Sequence, residues 1–164
     1  MEERKKMNKY IVLVALIGLV PSRAQASVLH DVGETAVYTL LSNTSLLGKD
    51  AAKFKLVYGP TSDLCKTYDT VLKLVHVCGS SLQAFYANST RDGKITGLGV
   101  SVGTKAKREV CQGFGLGLQK ALGTPDGEYQ GAYVWLLDSL SVTYNRNTNS
   151  NDPCQVTVTK KEGK

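Results

Sequence analysis

Residues 1–26 constrain the chain most, because they combine the three parts of an export signal. A start with four basic residues precedes an apolar run of 11 residues, Tyr10 to Val20, and Ala24-Gln25-Ala26 supplies a small-x-small cleavage pattern. The run is too short to cross a bilayer core, which needs about 20 residues. Charge and cleavage pattern disfavour the alternative, a buried helix of a cytosolic domain. The sequence predicts a signal peptide over 1–26 and one exported domain over 27–164.

The charge of the expected mature chain differs from that of the whole sequence. The full chain has 20 basic and 14 acidic residues, of which the leader holds five and two, so 15 and 12 remain with a net charge of +3. This small excess does not favour a nucleic-acid partner. No second apolar run reaches spanning length, so we expect no stable membrane insertion after cleavage, and a location in the periplasm or outside the cell.

All four cysteines follow the leader: Cys65, Cys78, Cys111 and Cys154. An even count in an exported chain predicts disulfides, and three connectivities are possible. We favour Cys65–Cys78 with Cys111–Cys154, because nested or crossed pairs would tie the two halves of the chain more tightly than their composition suggests. The cysteines lack C-x2-C spacing and the two histidines lie far apart, so we expect no metal and no cofactor.

The first half of the mature chain changes from helical to strand-like patterns. Apolar residues at three- and four-residue steps predict two helices or one broken helix over 27–53. Residues 54–58 look extended. Residues 64–77 fit either a helix or a strand. Alternation over 81–102, with the turn signal Arg91-Asp92-Gly93-Lys94, predicts a hairpin or an edge strand that its glycines weaken.

In the second half of the mature chain, the residue pattern predicts a helix that ends at about Leu122, a loop over 123–131 and mainly strand over 132–144. The asparagine-rich segment 145–153 reads as an exposed loop, and 155–159 as a last strand. The order predicts an α+β fold, in which N-terminal helices and one further helix accompany an antiparallel sheet with two disulfides.

No recognisable catalytic set stands out, and we expect no enzyme. His76 just before Cys78 fits a thiol enzyme only if a cysteine is free, so we expect a histidine packed or capped near a disulfide. Asp126 and Glu128 are the nearest carboxylate pair for glycosidase chemistry, although an exposed acidic loop is the commoner explanation.

A protein partner is the alternative to catalysis, and polar residues outside the predicted core are the candidates for its contacts. Lys105, Lys107 and Arg108 form the densest basic cluster, which is either a solvated helix start or a site for an anionic partner. The candidate contact residues are Lys105, Lys107, Arg108, Asp126, Glu128, Asn147 and Asn149.

The segment 98–159 has a recurring order of features. A short strand over 99–102 and polar residues lead to Cys111 at a helix start, and later strands run into the asparagine-rich loop, Cys154 and a terminal strand. This order resembles the globular C-terminal part of type IVb pilins and minor pilins. The resemblance implies that Cys111 and Cys154 pair, and that their bridge closes an exposed region contacting other subunits.

The N-terminus departs from that family, since a pilin keeps its long apolar helix and has a glutamate near the mature end. We therefore expect a non-enzymatic exported binding or assembly protein, an accessory of a pilus or conjugation system. The alternative is a periplasmic immunity or inhibitor protein that inserts loop 123–131 or 145–153 into a toxin or hydrolase. An envelope hydrolase with an unrecognised site is a third hypothesis.

Overall fold

The computed structural model describes residues 22–103, 105, 108–146 and 154–161. Most of the predicted signal peptide lies outside these ranges, as do Lys107, Asn147 and Asn149. The leader and the domain boundary at residue 27 therefore stay predictions.

Three α-helices lie within the described residues: α1 (Ser22–Ser42), α2 (Ala52–Tyr58) and α3 (Arg108–Leu122). Single 3-10 turns, Thr44–Leu46 and Gly59–Thr61, follow α1 and α2. Helix α1 continues unbroken through the predicted cleavage point. Among these described helices, none combines the length and the hydropathy that a membrane span requires.

Eight strands form one antiparallel sheet. They are β1 (Leu64–Asp69), β2 (Leu74–Gly79), β3 (Gln83–Ser89), β4 (Ile95–Val102), β5 (Gly127–Tyr129), β6 (Ala132–Leu136), β7 (Leu140–Asn145) and β8 (Gln155–Lys160). Their order is β1-β2-β3-β4-β8-β7-β6-β5, so two four-stranded meanders meet where β4 pairs with β8. The α+β prediction is confirmed.

Three local predictions need correction or resolution. Residues 54–58 are helical rather than extended, because a helix places Phe54 and Tyr58 on one face, where both are buried and Tyr58 stacks on Phe85 at 4.5 Å. The ambiguous segment 64–77 lies in the β1–β2 hairpin. The predicted loop 123–131 contains the short strand β5, which pairs with β6.

The helices cover one face of the sheet, because the strands present apolar side chains on alternate residues. Helix α1 packs against α3 and contacts β4, while α2 contacts β2. The fully buried strand residues in the centre of this layer are Leu98, Val100, Val142, Val156 and Val158. They meet Phe114 and Leu118 of α3 and Val37 and Leu40 of α1 in one core.

Glycines allow the main chains of α1 and α3 to contact each other directly. A Cβ added to Gly33 would lie 2.9 Å from the Cα of Gly113 and against the carbonyl oxygen of Val110, and one added to Gly113 would meet the carbonyl of His30. The obstacles are main-chain atoms, which cannot swing aside as a side chain can. Around this crossing, the Lys120 ammonium lies 2.6 Å from the Glu34 carboxylate.

Both favoured disulfides are present. Cys65–Cys78 joins β1 to β2, and Cys111–Cys154 joins the first turns of α3 to the residue before β8. Each bridge stays within one half of the chain. Two disulfides indicate a protein that folds in an oxidising compartment.

Substitution at the helix crossing tests its tightness. We expect Gly113→Ala to lower the free energy of unfolding by about 1–3 kcal/mol, because overpacking forces the two backbones apart. Gly115→Ala in the same helix is the control, since its Cβ would make an ordinary 3.4 Å contact with Tyr144. The control should be neutral or stabilise by up to about 1 kcal/mol through helix propensity. Urea denaturation of both variants gives the comparison, and equal effects would contradict it.

Candidate binding face of the sheet

The sheet face that points away from the helices is not covered by any described element, and its centre holds small and polar residues. Register places Gly97 and Gly99 of β4 beside Thr159 and Thr157 of β8, with Thr143 of β7 next in line. An antiparallel sheet can leave one face to water when that face is polar. We call the surface formed by these strands the open face.

Tyr86 lies flat across the middle of the open face. It stands directly opposite Gly99, and a Cβ at residue 99 would collide with the Tyr86 ring. The Tyr86 hydroxyl shares a 2.6 Å hydrogen bond with Thr157 Oγ1 on the far side of β4. Burial raises the pKa of Tyr86, and the hydrogen bond with Thr157 opposes this only in part. The phenol is therefore neutral at physiological pH.

A groove of about 720 Å³ follows the open face beside Tyr86. Its walls combine aliphatic surface from Val75 and Val77 with carboxamides and hydroxyls, and Lys73 is the one charged residue among its lining. The lining residues are Lys73, Val75, Val77, Tyr86, Asn88, Ser101, Val102, Asn145, Cys154, Gln155 and Thr157. Such a surface suits hydrogen bonding to a polar or anionic partner.

The described members of the predicted contact set do not line this groove, and the basic group lies apart from the acidic group. Lys105 follows β4, and Arg108 begins α3, both exposed. Asp126 precedes the edge strand β5, which carries Glu128. In the sheet β5 is four positions from β4, about 19 Å at the usual strand spacing. The structure does not bring the two charge groups into one site.

Asp126 has a local structural role. Its Oδ2 accepts a 2.6 Å hydrogen bond from the backbone N–H of Leu136, and its own N–H donates to the carbonyl of Val134. Glu128 stands exposed on the three-residue strand β5, opposite Tyr133. These contacts fasten the start of β5 to β6.

His76 lies on the opposite, helix-covered side of the sheet, where it is only 7% exposed. Its Nδ1 is 3.1 Å from Thr67 Oγ1, and its Nε2 is 2.9 Å from the fully buried Ser89 Oγ. The imidazole thus links β1, β2 and β3. The prediction of a packed histidine near a disulfide is confirmed, and Cys78 is bonded rather than free.

No group of three or more potential metal ligands occurs in the part of the chain that the structure describes.

Comparison with known proteins does not assign the chain to a family. It matches no protein-family model and no curated protein. Among solved structures it is similar to a cysteine-rich secretory protein from Staphylococcus aureus subsp. aureus Mu50, with 13% identity and a TM-score of 0.38. The match covers 71% of this chain and 45% of that one, so the chain spans less than half the length of that protein. A similarity of this size supports no inference about function.

The buried imidazole predicts a loss of stability in mild acid. Burial lowers the pKa of His76, and the positive charge of Lys55 acts in the same direction. As pH falls below the unfolded value of about 6.5, the unfolded chain takes up a proton that folded His76 resists, so the free energy of unfolding decreases. Chemical denaturation across this pH range should show the decrease in the wild type.

His76→Gln is the control for that prediction. It should be less stable than the wild type above neutral pH, because it loses the imidazole contacts, but its stability should decline less on acidification. His30 is present in both proteins, so the difference between their pH profiles isolates His76. Parallel profiles would contradict the prediction.

Proposed function

We propose that the protein is a non-enzymatic exported binding or assembly protein, a pilin-like accessory that works in the periplasm or outside the cell. The observation that carries the proposal is the Cys111–Cys154 bridge, which spans 43 residues and encloses strands β5, β6 and β7. The resemblance to type IVb pilins implies this bridge, because the corresponding bridge in that family closes the region that contacts other subunits.

The described part of the enclosed segment, residues 112–146, is held near the bridge by more than the disulfide. The Tyr144 hydroxyl on β7 donates a 2.6 Å hydrogen bond to the Cys111 carbonyl on α3. Burial is the main cause that raises the pKa of Tyr144 to about 12, so the donor keeps its proton at physiological pH. A segment anchored in this way presents its surface with little ordering cost on binding.

The groove on the open face supports a partner site next to the Cys111–Cys154 bridge. Asn145 and Cys154 line its end. In sequence, Asn145 begins the segment 145–153 that is predicted to be an exposed loop, and Cys154 follows it. The partner contacts of this proposal are Asn145 at this end of the groove, and Asn147 and Asn149, which lie outside the described residues and are proposed from the sequence alone. Carboxamides at such a surface donate and accept hydrogen bonds without the desolvation cost of a full charge.

The test is co-isolation of the protein with a pilus or conjugative appendage from the strain that carries the gene. Asn147→Ala with Asn149→Ala should reduce the recovered appendage protein by about tenfold or more, as loss of a central contact does. Lys53→Ala, an exposed change on α2, is the control and should leave recovery unchanged. Equal thermal midpoints would show that both variants fold.

A deletion strain supplies the opposing outcome. Normal appendage assembly without the gene would overturn the proposal. Recovery of a soluble toxin or hydrolase in place of appendage protein would replace it with the immunity or inhibitor alternative.

A further inference from the structure

Strand β1 forms one edge of the sheet, and its outer side is unpaired within the described ranges 22–103, 105, 108–146 and 154–161. Hydrogen-bonded and non-hydrogen-bonded residue pairs alternate along an antiparallel hairpin. The hydrogen bond from Thr70 N–H to the Lys73 carbonyl makes Thr70 and Lys73 a hydrogen-bonded pair, which determines the type of every pair before it. In that alternation Lys66 and Tyr68 bond to β2, whereas Cys65, Thr67 and Asp69 direct their backbone groups outward. The 4.1 Å separation of the Cys65 and Cys78 Cα atoms agrees, because pairs without mutual hydrogen bonds lie closest.

The two edges of the sheet are built differently. The opposite edge, β5, has three residues and follows Pro125, and short length and proline are features that discourage strand addition. Strand β1 has six residues, contains no proline and pairs with β2 in unbroken register. Only β1 offers a continuous template for another strand.

Strand β1 is also held ready for pairing. The Cys65–Cys78 bridge ties its first half to β2. At the other end, Arg91 donates hydrogen bonds to the carbonyls of Thr70 (3.1 Å) and Val71 (3.3 Å), which fixes the hairpin tip. A preordered edge loses little conformational entropy when a partner strand is added.

The same hairpin exposes four large apolar residues: Leu64 (55% exposed), Tyr68 (51%), Val71 (90%) and Leu72 (86%). Two of them, Val71 and Leu72, form the tip, and the other two lie along the strand. Apolar residues clustered on one ordered element mark an interaction surface more often than scattered ones do.

We infer that β1 pairs with β1 of a second copy of this chain, antiparallel about a two-fold axis at Thr67, to make one continuous sixteen-stranded sheet. This register pairs residues 65–69 of both copies through about six backbone hydrogen bonds, because the outward groups of Cys65, Thr67 and Asp69 meet those of Asp69, Thr67 and Cys65. It is self-complementary, as a two-fold interface must be.

Side chains favour this register over the one centred on Lys66. Centring on Thr67 places Lys66 opposite the second copy's Tyr68, a pair that supports cation–π contact. Centring on Lys66 would place two lysines directly opposite each other, which is destabilising. The Thr67 register also brings the exposed tip of each copy beside Asp63 and Leu64 of the other, where Leu72 gains apolar contact.

Sedimentation equilibrium of the chain, as isolated from expressing cells, tests the inference. The wild type should show a concentration-dependent dimer. Thr67→Pro should raise the dimer dissociation constant by about tenfold or more, because it removes the central outward N–H while leaving the β1–β2 hydrogen bonds in place. Thr67→Ala is the matched control, since both variants lose the Thr67–His76 contact, and it should change the constant by about twofold or less.

Hydrogen exchange provides a second readout that does not depend on a variant. The amides of Cys65, Thr67 and Asp69 should become protected as protein concentration rises, while those of Lys66 and Tyr68 are protected throughout. A monomer at every accessible concentration, or a dimer that Thr67→Pro leaves intact, would overturn the inference. The result is independent of the proposed function, because β1 lies outside the segment 112–153.

Discussion

The approach of α1 to α3 at Gly33 and Gly113 sets the thickness of the whole helical layer. With main chains in contact, Val37 and Leu40 of α1 and Phe114 of α3 reach the same buried layer above β4 and β8. A wider separation would leave voids between the helices and the sheet, and cavities in a core reduce stability roughly in proportion to their volume. The central strands and the helix crossing therefore depend on one another.

The sequence predicted those elements whose signals are local. The Asp92-Gly93 turn marked the β3–β4 hairpin. Residues 54–58 were assigned wrongly because seven residues of helix contain too little periodicity to distinguish it from a strand. Only the burial of Phe54 and Tyr58 against Phe85 settles that segment.

The groove could not be predicted, because it is produced by register between distant segments. Tyr86, Gly99 and Thr157 meet across three adjacent strands, and the Tyr86–Thr157 hydrogen bond joins residues 71 positions apart. The strand pattern of β4 did contain a signal, in glycines that a cross-strand aromatic ring can cover. Interpreting these glycines required knowing that β3, which carries Tyr86, pairs with β4. The charged clusters, by contrast, were visible in sequence and proved to lie far apart.

The position of β8 has a consequence for the order in which the molecule forms. This strand is the last element of the structure along the chain, yet it lies between β4 and β7 in the middle of the sheet. The β1–β4 meander can form early, but the side of β4 that pairs with β8 stays unpaired until α3, β5, β6, β7 and β8 have followed it along the chain. Closure of the sheet therefore needs both meanders, and the long sequence separation of the β4–β8 contacts favours slow folding.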